Sequence, residues 1–153
     1  MSIAEKLQHD MKEAMKAKDA VRLRTIRSLR SALMSREIEL RSGGTGSISD
    51  EEAMAVLQKQ AKQRRDSIEQ FELAGRDDLK AVEVEELAVI EEYLPKQLSS
   101  EEIQAEVRAI AEEIGVSGMQ DMGKLMGQAM SRLKGKADGK LVQQAARELL
   151  SQS

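Results

Sequence analysis

Cysteine and tryptophan are absent, and Phe71 and Tyr93 are the only aromatic residues in 153. No disulfide and no thiolate metal site can form, so redox chemistry does not fix the compartment. The core must come from Leu, Ile, Met and Ala, while 33% of the chain is charged. That mix favours helices and disfavours a sheet. Base stacking on single-stranded nucleic acid needs aromatic platforms, which this chain lacks. Proline occurs once, at Pro95, and histidine once, at His9. A single histidine with no candidate Ser or Cys nucleophile has nothing to activate. The glutamate pairs Glu85-Glu86 and Glu91-Glu92 diverge by about 100° on a helix and have no His or Cys beside them, so they make neither a metal site nor an acid/base pair. No metal and no cofactor is expected. No apolar run reaches membrane-spanning length, and charges appear as early as Glu5 and Lys6. The expectation is a soluble cytoplasmic protein with no membrane partner.

Charge is unevenly spread. The net charge is −3. Residues 1–41 hold ten Lys/Arg and six Asp/Glu, residues 42–113 hold eight and eighteen, and residues 114–153 hold six and three. Two basic ends flank an acidic middle, so any nucleic-acid surface is a local patch.

Periodicity and caps place seven helices. Ser2 with Glu5 opens the first as a capping box, and Asp19 caps the second. In the second, Leu23, Ile26, Leu29, Leu33 and Leu40 share a side; Arg24 and Arg27 point away, with Arg30 on the flank. This row is either a solvated basic face or a ridge that tracks phosphates. Ser42-Gly43-Gly44-Thr45-Gly46-Ser47 reads as a connector. Ser49 and Glu52 open the third helix, which carries Met54, Leu57, Ala61, Ile68 and Phe71 and ends near Gly75. Its Lys59, Lys62, Arg64 and Arg65 are matched by Asp66, Glu69 and Glu72 at helical spacing. The fourth starts at Asp77 or Asp78 and buries Leu79, Leu87, Ile90 and Leu94, with Val82 beside them. Its glutamates, Glu83, Glu85, Glu86, Glu91 and Glu92, fall mostly outward. Pro95 breaks the chain there. Ser99 and Glu102 open the fifth helix, which runs to Gly115, and Ser117 with Gln120 opens the sixth. The expected architecture is all-α: a helical hairpin module over 1–94 and a small three-helix module over 95–153.

The last third is the most informative stretch. Met119, Met122, Leu125, Met126, Ala129, Met130 and Leu133 fall on one side of the sixth helix. Gly123 and Gly127 sit at the edge of that stripe. A glycine inside a helix costs roughly 1 kcal/mol relative to alanine, so close approach of another backbone is expected at both. Lys134-Gly135-Lys136-Ala137-Asp138 follows, with Gly135 suited to a left-handed turn and Asp138 to an N-cap. The seventh helix buries Leu141, Val142, Ala145 and Leu149, and leaves Lys140, Gln143, Gln144 and Arg147 wet. Gly135 to Leu141 is one residue short of a P-loop and lacks its Ser/Thr.

These residues carry a resemblance. Leu125-Met126-Gly127-Gln128-Ala129-Met130, Lys134-Gly135-Lys136-Ala137-Asp138 and Lys140-Leu141-Val142 resemble the C-terminal tail of the B subunit of tRNA-dependent Asp/Glu amidotransferase and the free-standing YqeY proteins. Arg64-Arg65-Asp66-Ser67-Ile68-Glu69, Ala74-Gly75-Arg76-Asp77-Asp78-Leu79 and Tyr93-Leu94-Pro95-Lys96-Gln97-Leu98-Ser99 resemble YqeY further upstream. The amidotransferase tail carries Asn-Pro where this chain has Asp138-Gly139. The resemblance implies a tRNA-contacting appendage, with tRNA, a tRNA synthetase or an amidotransferase component as partners. Family transfer alone would add carbon–nitrogen ligase activity with glutamine as amide donor. No residue set here can carry that reaction, so no catalytic residue and no activity of the chain alone is expected. The candidate RNA-binding residues are Lys134, Lys136, Lys140, Gln144 and Arg147 around the turn, and Arg24, Arg27 and Arg30 on the N-terminal ridge. The competing reading is a protein-interaction module that uses the methionines of the sixth helix.

Overall fold

The computed structural model describes residues 1–42 and 47–152. Among these the chain is helical with no strand: α1 Ile3–Ala17, α2 Ala20–Ser42, α3 Asp50–Leu73, α4 Asp77–Glu91, α5 Ser100–Ile114, α6 Met122–Leu133 and α7 Gly139–Ser151. The all-α expectation is met. The connector reading of Gly43, Gly44, Thr45 and Gly46 lies outside the described residues. The chain divides into two compact units, Met1–Leu94 and Pro95–Ser153.

Local chemistry sets the helix ends. The Ser2, Ser49 and Ser99 hydroxyls accept the amides of Glu5, Glu52 and Glu102, and Asp19 accepts that of Arg22. Each satisfies a donor that the helix leaves orphaned. Only Ser99 completes a reciprocal box, because Glu102 also takes the Ser99 amide at 3.1 Å. Glu52 has turned instead to Arg36 on α2. Gly75 and Gly115 take positive φ where α3 and α5 end, a conformation that costs glycine nothing.

The sixth helix departs from expectation at its start. Ser117 does not cap it. The Asp121 carboxylate takes the Ser117 amide at 3.3 Å, and the Asp121 amide donates to the Gly118 carbonyl at 2.9 Å. This closes a 3₁₀ turn over Met119–Asp121, so the α-helix begins at Met122.

In the first unit Leu7 and Ala14 of α1, Ile26, Leu29 and Leu33 of α2, Ala53, Leu57 and Ala61 of α3, and Val89, Ile90 and Tyr93 form one core. Antiparallel α3 and α4 are stitched by charge. Arg64 is largely buried and reaches Glu86 at 3.6 Å and Glu83 at 3.9 Å, with Ser28 and Gln60 completing its contacts. Arg65 reaches Glu91 and Lys80 reaches Glu72. This corrects two expectations. Glu83 and Glu86 do not face outward. Of the α3 cluster Lys62 bonds Asp66 a turn away, Arg64 is matched across the hairpin, and Arg65 has Glu91 of α4 among its partners. Leu79 and Val82 stay exposed at 36% and 41%, because the packed part of α4 is its second half.

In the second unit Ile103, Val107, Ile110 and Ala111 of α5, Leu125, Ala129 and Leu133 of α6, and Val142, Ala145, Ala146 and Leu150 of α7 form a separate core. Arg132 of α6 grips Glu113 of α5 with two bonds, at 2.5 and 3.1 Å, and holds that carboxyl below its usual range.

Two predictions test this stitching. Arg64→Met should lower the stability of the first unit by about 1–3 kcal/mol, since Glu83 and Glu86 lose their counter-charge in a half-buried site. Lys62→Ala, an exposed pair, should change it by less than about 0.5 kcal/mol in the same denaturant titration. Ser99→Ala should cost about 1 kcal/mol through loss of the cap. The Glu102 carboxyl is lowered chiefly by the Ser99 amide, then by its hydroxyl. Its folded pKa is therefore below its unfolded one. Its contribution is present above the ordinary carboxylate range and lost as pH falls through the lowered value. Glu102→Gln should accordingly flatten the acid limb of stability against pH.

Candidate nucleic-acid interface

The α6–α7 turn is built to hold its shape. Leu133 ends α6, and its carbonyl accepts the amides of Lys136 and Ala137 at 2.9 and 3.1 Å. That closure needs Gly135 at φ +81, so the expected left-handed turn is present. The segment after Pro95 then pins the turn from outside. The Leu98 amide donates to the Lys136 carbonyl at 2.8 Å, and Gln97 Nε2 donates to the Gly135 carbonyl at 2.8 Å. With the backbone of Gly135 and Lys136 engaged inward, the lysine side chains point out.

Lys134, Lys136, Lys140, Gln144 and Arg147 are all exposed. Lys140, Gln144 and Arg147 recur at i, i+4 and i+7, on the side of α7 opposite Val142, Ala145 and Ala146. Gln144 donates to Glu148 at 3.2 Å. Lys134, Lys136 and Arg147 make no ion pair with any described residue, while Arg132 is neutralised by Glu113. Three amides of the helix start are already engaged. Asp138 Oδ1 takes the Lys140 amide at 3.0 Å, and the Asp138 carbonyl takes those of Leu141 and Val142. Attraction for an anion here rests on the lysine side chains, not on open helix amides.

On the ridge, Arg24 and Arg27 are exposed. Arg30 is not exposed beside them: it is half-buried, with its guanidinium against Met11 Sδ at 3.0 Å. Periodicity placed it on the flank, and that flank faces α1. His9 is exposed on α1. The methionine stripe is a rim rather than a core. Leu125, Ala129 and Leu133 are buried, Met122, Met126 and Met130 are half-buried, and Met119 is 47% exposed.

Gly123 and Gly127 require correction. Both are exposed, and a Cβ at either would meet no described atom within 4 Å. They lie on the α6 edge away from α5 and α7, so no backbone of the unit approaches them.

A feature the sequence did not reveal lies in the first unit. Tyr93 Oη donates to Asp10 at 2.5 Å, Lys6 Nζ stands 5.2 Å from the Tyr93 ring centre, and Arg22 grips Glu92 with two bonds. These side chains and Glu13 line a groove of about 330 Å³. Burial, and then the bond to Asp10, push the Tyr93 phenol up from its ordinary value. The Tyr93–Asp10 and Arg22–Glu92 bonds tie α1 and α2 to the end of α4. The two hydrogen-bonded links span 70 and 83 residues of sequence, which no local pattern registers.

The family model described as "Yqey-like protein" matches residues 4–150. The chain belongs to the YqeY family. Three similar proteins are fungal. A protein of Pyrenophora tritici-repentis named "Altered inheritance of mitochondria protein 41, mitochondrial" is 30% identical over 148 residues, covering 95% of this chain and 79% of that protein. The protein of the same name from Clavispora lusitaniae is 36% identical over 110 residues, 71% of this chain and 62% of that protein. The one from Saccharomyces cerevisiae strain YJM789 is 38% identical over 98 residues, 63% of this chain. This YqeY chain spans about half the length of that yeast relative, 51%.

The open glycine edge yields a test. Gly127→Ala should stabilise the second unit by up to about 1 kcal/mol, and Gly123→Ala likewise, since helix propensity rises and nothing is displaced. A thermal melt that falls instead would reveal a packing neighbour on that edge.

Proposed function

We propose that this YqeY chain is a non-catalytic module that binds folded RNA of the tRNA class and serves translation. The observation that supports the reading is the pinned α6–α7 turn, which exposes Lys134, Lys136 and Lys140 with Gln144 and Arg147 alongside. A turn whose backbone is already held leaves only its side chains to be ordered at binding. Phosphate contacts from such a patch give position and affinity, and shape recognition of a folded RNA suits a surface without aromatics. The resemblance to the amidotransferase tail points the same way, and a tRNA synthetase or an amidotransferase component is the proposed protein partner. Chemistry on the tRNA is left to such partners. A tRNA ligand exists in the cytoplasm and in the mitochondrion alike. The fungal relatives carry "mitochondrial" in their names, and no helix among the described residues is long and apolar enough to cross a membrane. The proposal holds in either compartment.

A second reading has an observation of its own. Met119, Met122, Met126 and Met130 rim the open Gly123/Gly127 edge of α6, and pliable thioethers beside a bare backbone suit a protein surface.

Salt separates the two. Each phosphate contact contributes about 0.7–0.9 to the slope of log affinity against log salt. The triple variant K134A/K136A/K140A should weaken tRNA binding and flatten that slope by up to about two or three units, with the thermal melt kept. An unchanged slope in the variant, measured by filter binding across salt, would remove the turn from the RNA site. Binding that ignores salt in the wild-type protein would favour the methionine rim.

A further inference from the structure

We infer that the outer face of α2 is a docking surface for an acidic amphipathic helix of another protein. Arg24, Arg27, Met34, Ile38 and Arg41 fall within an arc of about 100° on α2, opposite the buried Ile26, Leu29 and Leu33. All five are exposed, Met34 at 58% and Ile38 at 61%. Scattered exposed apolar residues are ordinary, but these two stand one turn apart with arginines on both sides along the helix.

The arginines are distinguished by what they do not do. Among the described residues of the first unit, Arg22, Arg36, Arg64, Arg65 and Arg76 are paired with carboxylates, and Arg30 rests on Met11. Arg24, Arg27 and Arg41 make no ion pair with any described residue. The three uncommitted arginines of the unit therefore share one face with its exposed Met34–Ile38 pair. That pattern fixes the chemistry of the occupant: apolar at the centre to cover Met34 and Ile38, acidic on both sides to meet the arginines. From Arg24 to Arg41 the face is about 25 Å long, which a partner helix of four to five turns covers. An RNA backbone fits less well. It would set charged phosphates against Met34 and Ile38, between Arg27 and Arg41, and would leave both apolar side chains unburied.

The probe is a fluorescent alanine-based helical peptide of about five turns with two central leucines at i and i+4 and glutamates on either side. Two controls carry lysine for glutamate or serine for leucine. Binding is read by anisotropy with the full chain. The expected result is binding of the parent peptide alone, weakened about tenfold or more by M34S/I38S and likewise by R24A/R27A/R41A. Both variants should keep the wild-type melting temperature, since every substituted side chain is exposed. No binding of the parent peptide at millimolar concentration overturns the inference. So does equal binding of the serine control, which would make the face a charge patch only. If R24A/R27A weakens tRNA binding and K134A/K136A/K140A does not, the face is an RNA surface instead. If the wild-type protein sediments as a dimer that M34S/I38S splits, a second copy covers it.

Discussion

The second unit turns on one main-chain hydrogen bond, from the Leu98 amide to the Lys136 carbonyl. Pro95 stops the preceding helix and leaves Lys96, Gln97 and Leu98 before the Ser99 cap. Those residues run beside the α6–α7 turn, and Gln97 adds its own bond to the Gly135 carbonyl. A lysine-rich turn would otherwise be the loosest part of a helical unit, since its cations repel and its glycine is permissive. Tying its carbonyls fixes the path of the chain, and with it the direction in which Lys134 and Lys136 leave the backbone. The complete capping box at Ser99 and Glu102 anchors the other end of the same segment. Fold and proposed site thus share their constraints.

The first unit solves a different problem. With two aromatics it has little large apolar surface to bury, and its core relies on alanine at Ala14, Ala53 and Ala61 to let helices approach. Small residues bring helices close but contribute little apolar area each. Charge fills the gap. Arg64 lies between Glu83 and Glu86 at the seam of α3 and α4, and Arg22 clasps Glu92 where α4 ends. Part of the acidic middle of the sequence, Glu83, Glu86, Glu91 and Glu92, is the counterpart of arginines within the unit.

What could be read in advance was local. Ser2, Ser49, Ser99, Asp19 and Asp138 cap the helices they precede, because a cap depends on residues two or three positions away. Gly135 took its turn because the closing bonds to Leu133 lie within four residues. The failures were questions of register and cover. Whether Arg64 pairs along α3 or across to α4 depends on how two helices align, which period alone does not give. Gly123 and Gly127 were placed on the correct edge of α6, but periodicity reports a side and not what lies against it. The same blindness hid Met34 and Ile38 on α2, where the apolar stripe through Leu33 drew the attention.

The cations sort by what meets them. Arginines that face carboxylates within their own unit act in the fold, and their fork geometry suits that task. The lysines of the α6–α7 turn and the outer arginines of α2 face away from the cores. The two sets differ in their surroundings. The turn lysines project from a pinned backbone whose carbonyls are engaged, which suits side-chain contact with an extended polyanion. The α2 arginines bracket two exposed apolar side chains, which suits a partner with a dry centre. Net charge alone assigns both patches to nucleic acid. Only the neighbouring side chains separate a surface that needs phosphate from one that needs acid and hydrocarbon together, and for that reason Met34 and Ile38, not the arginines, decide the identity of the second.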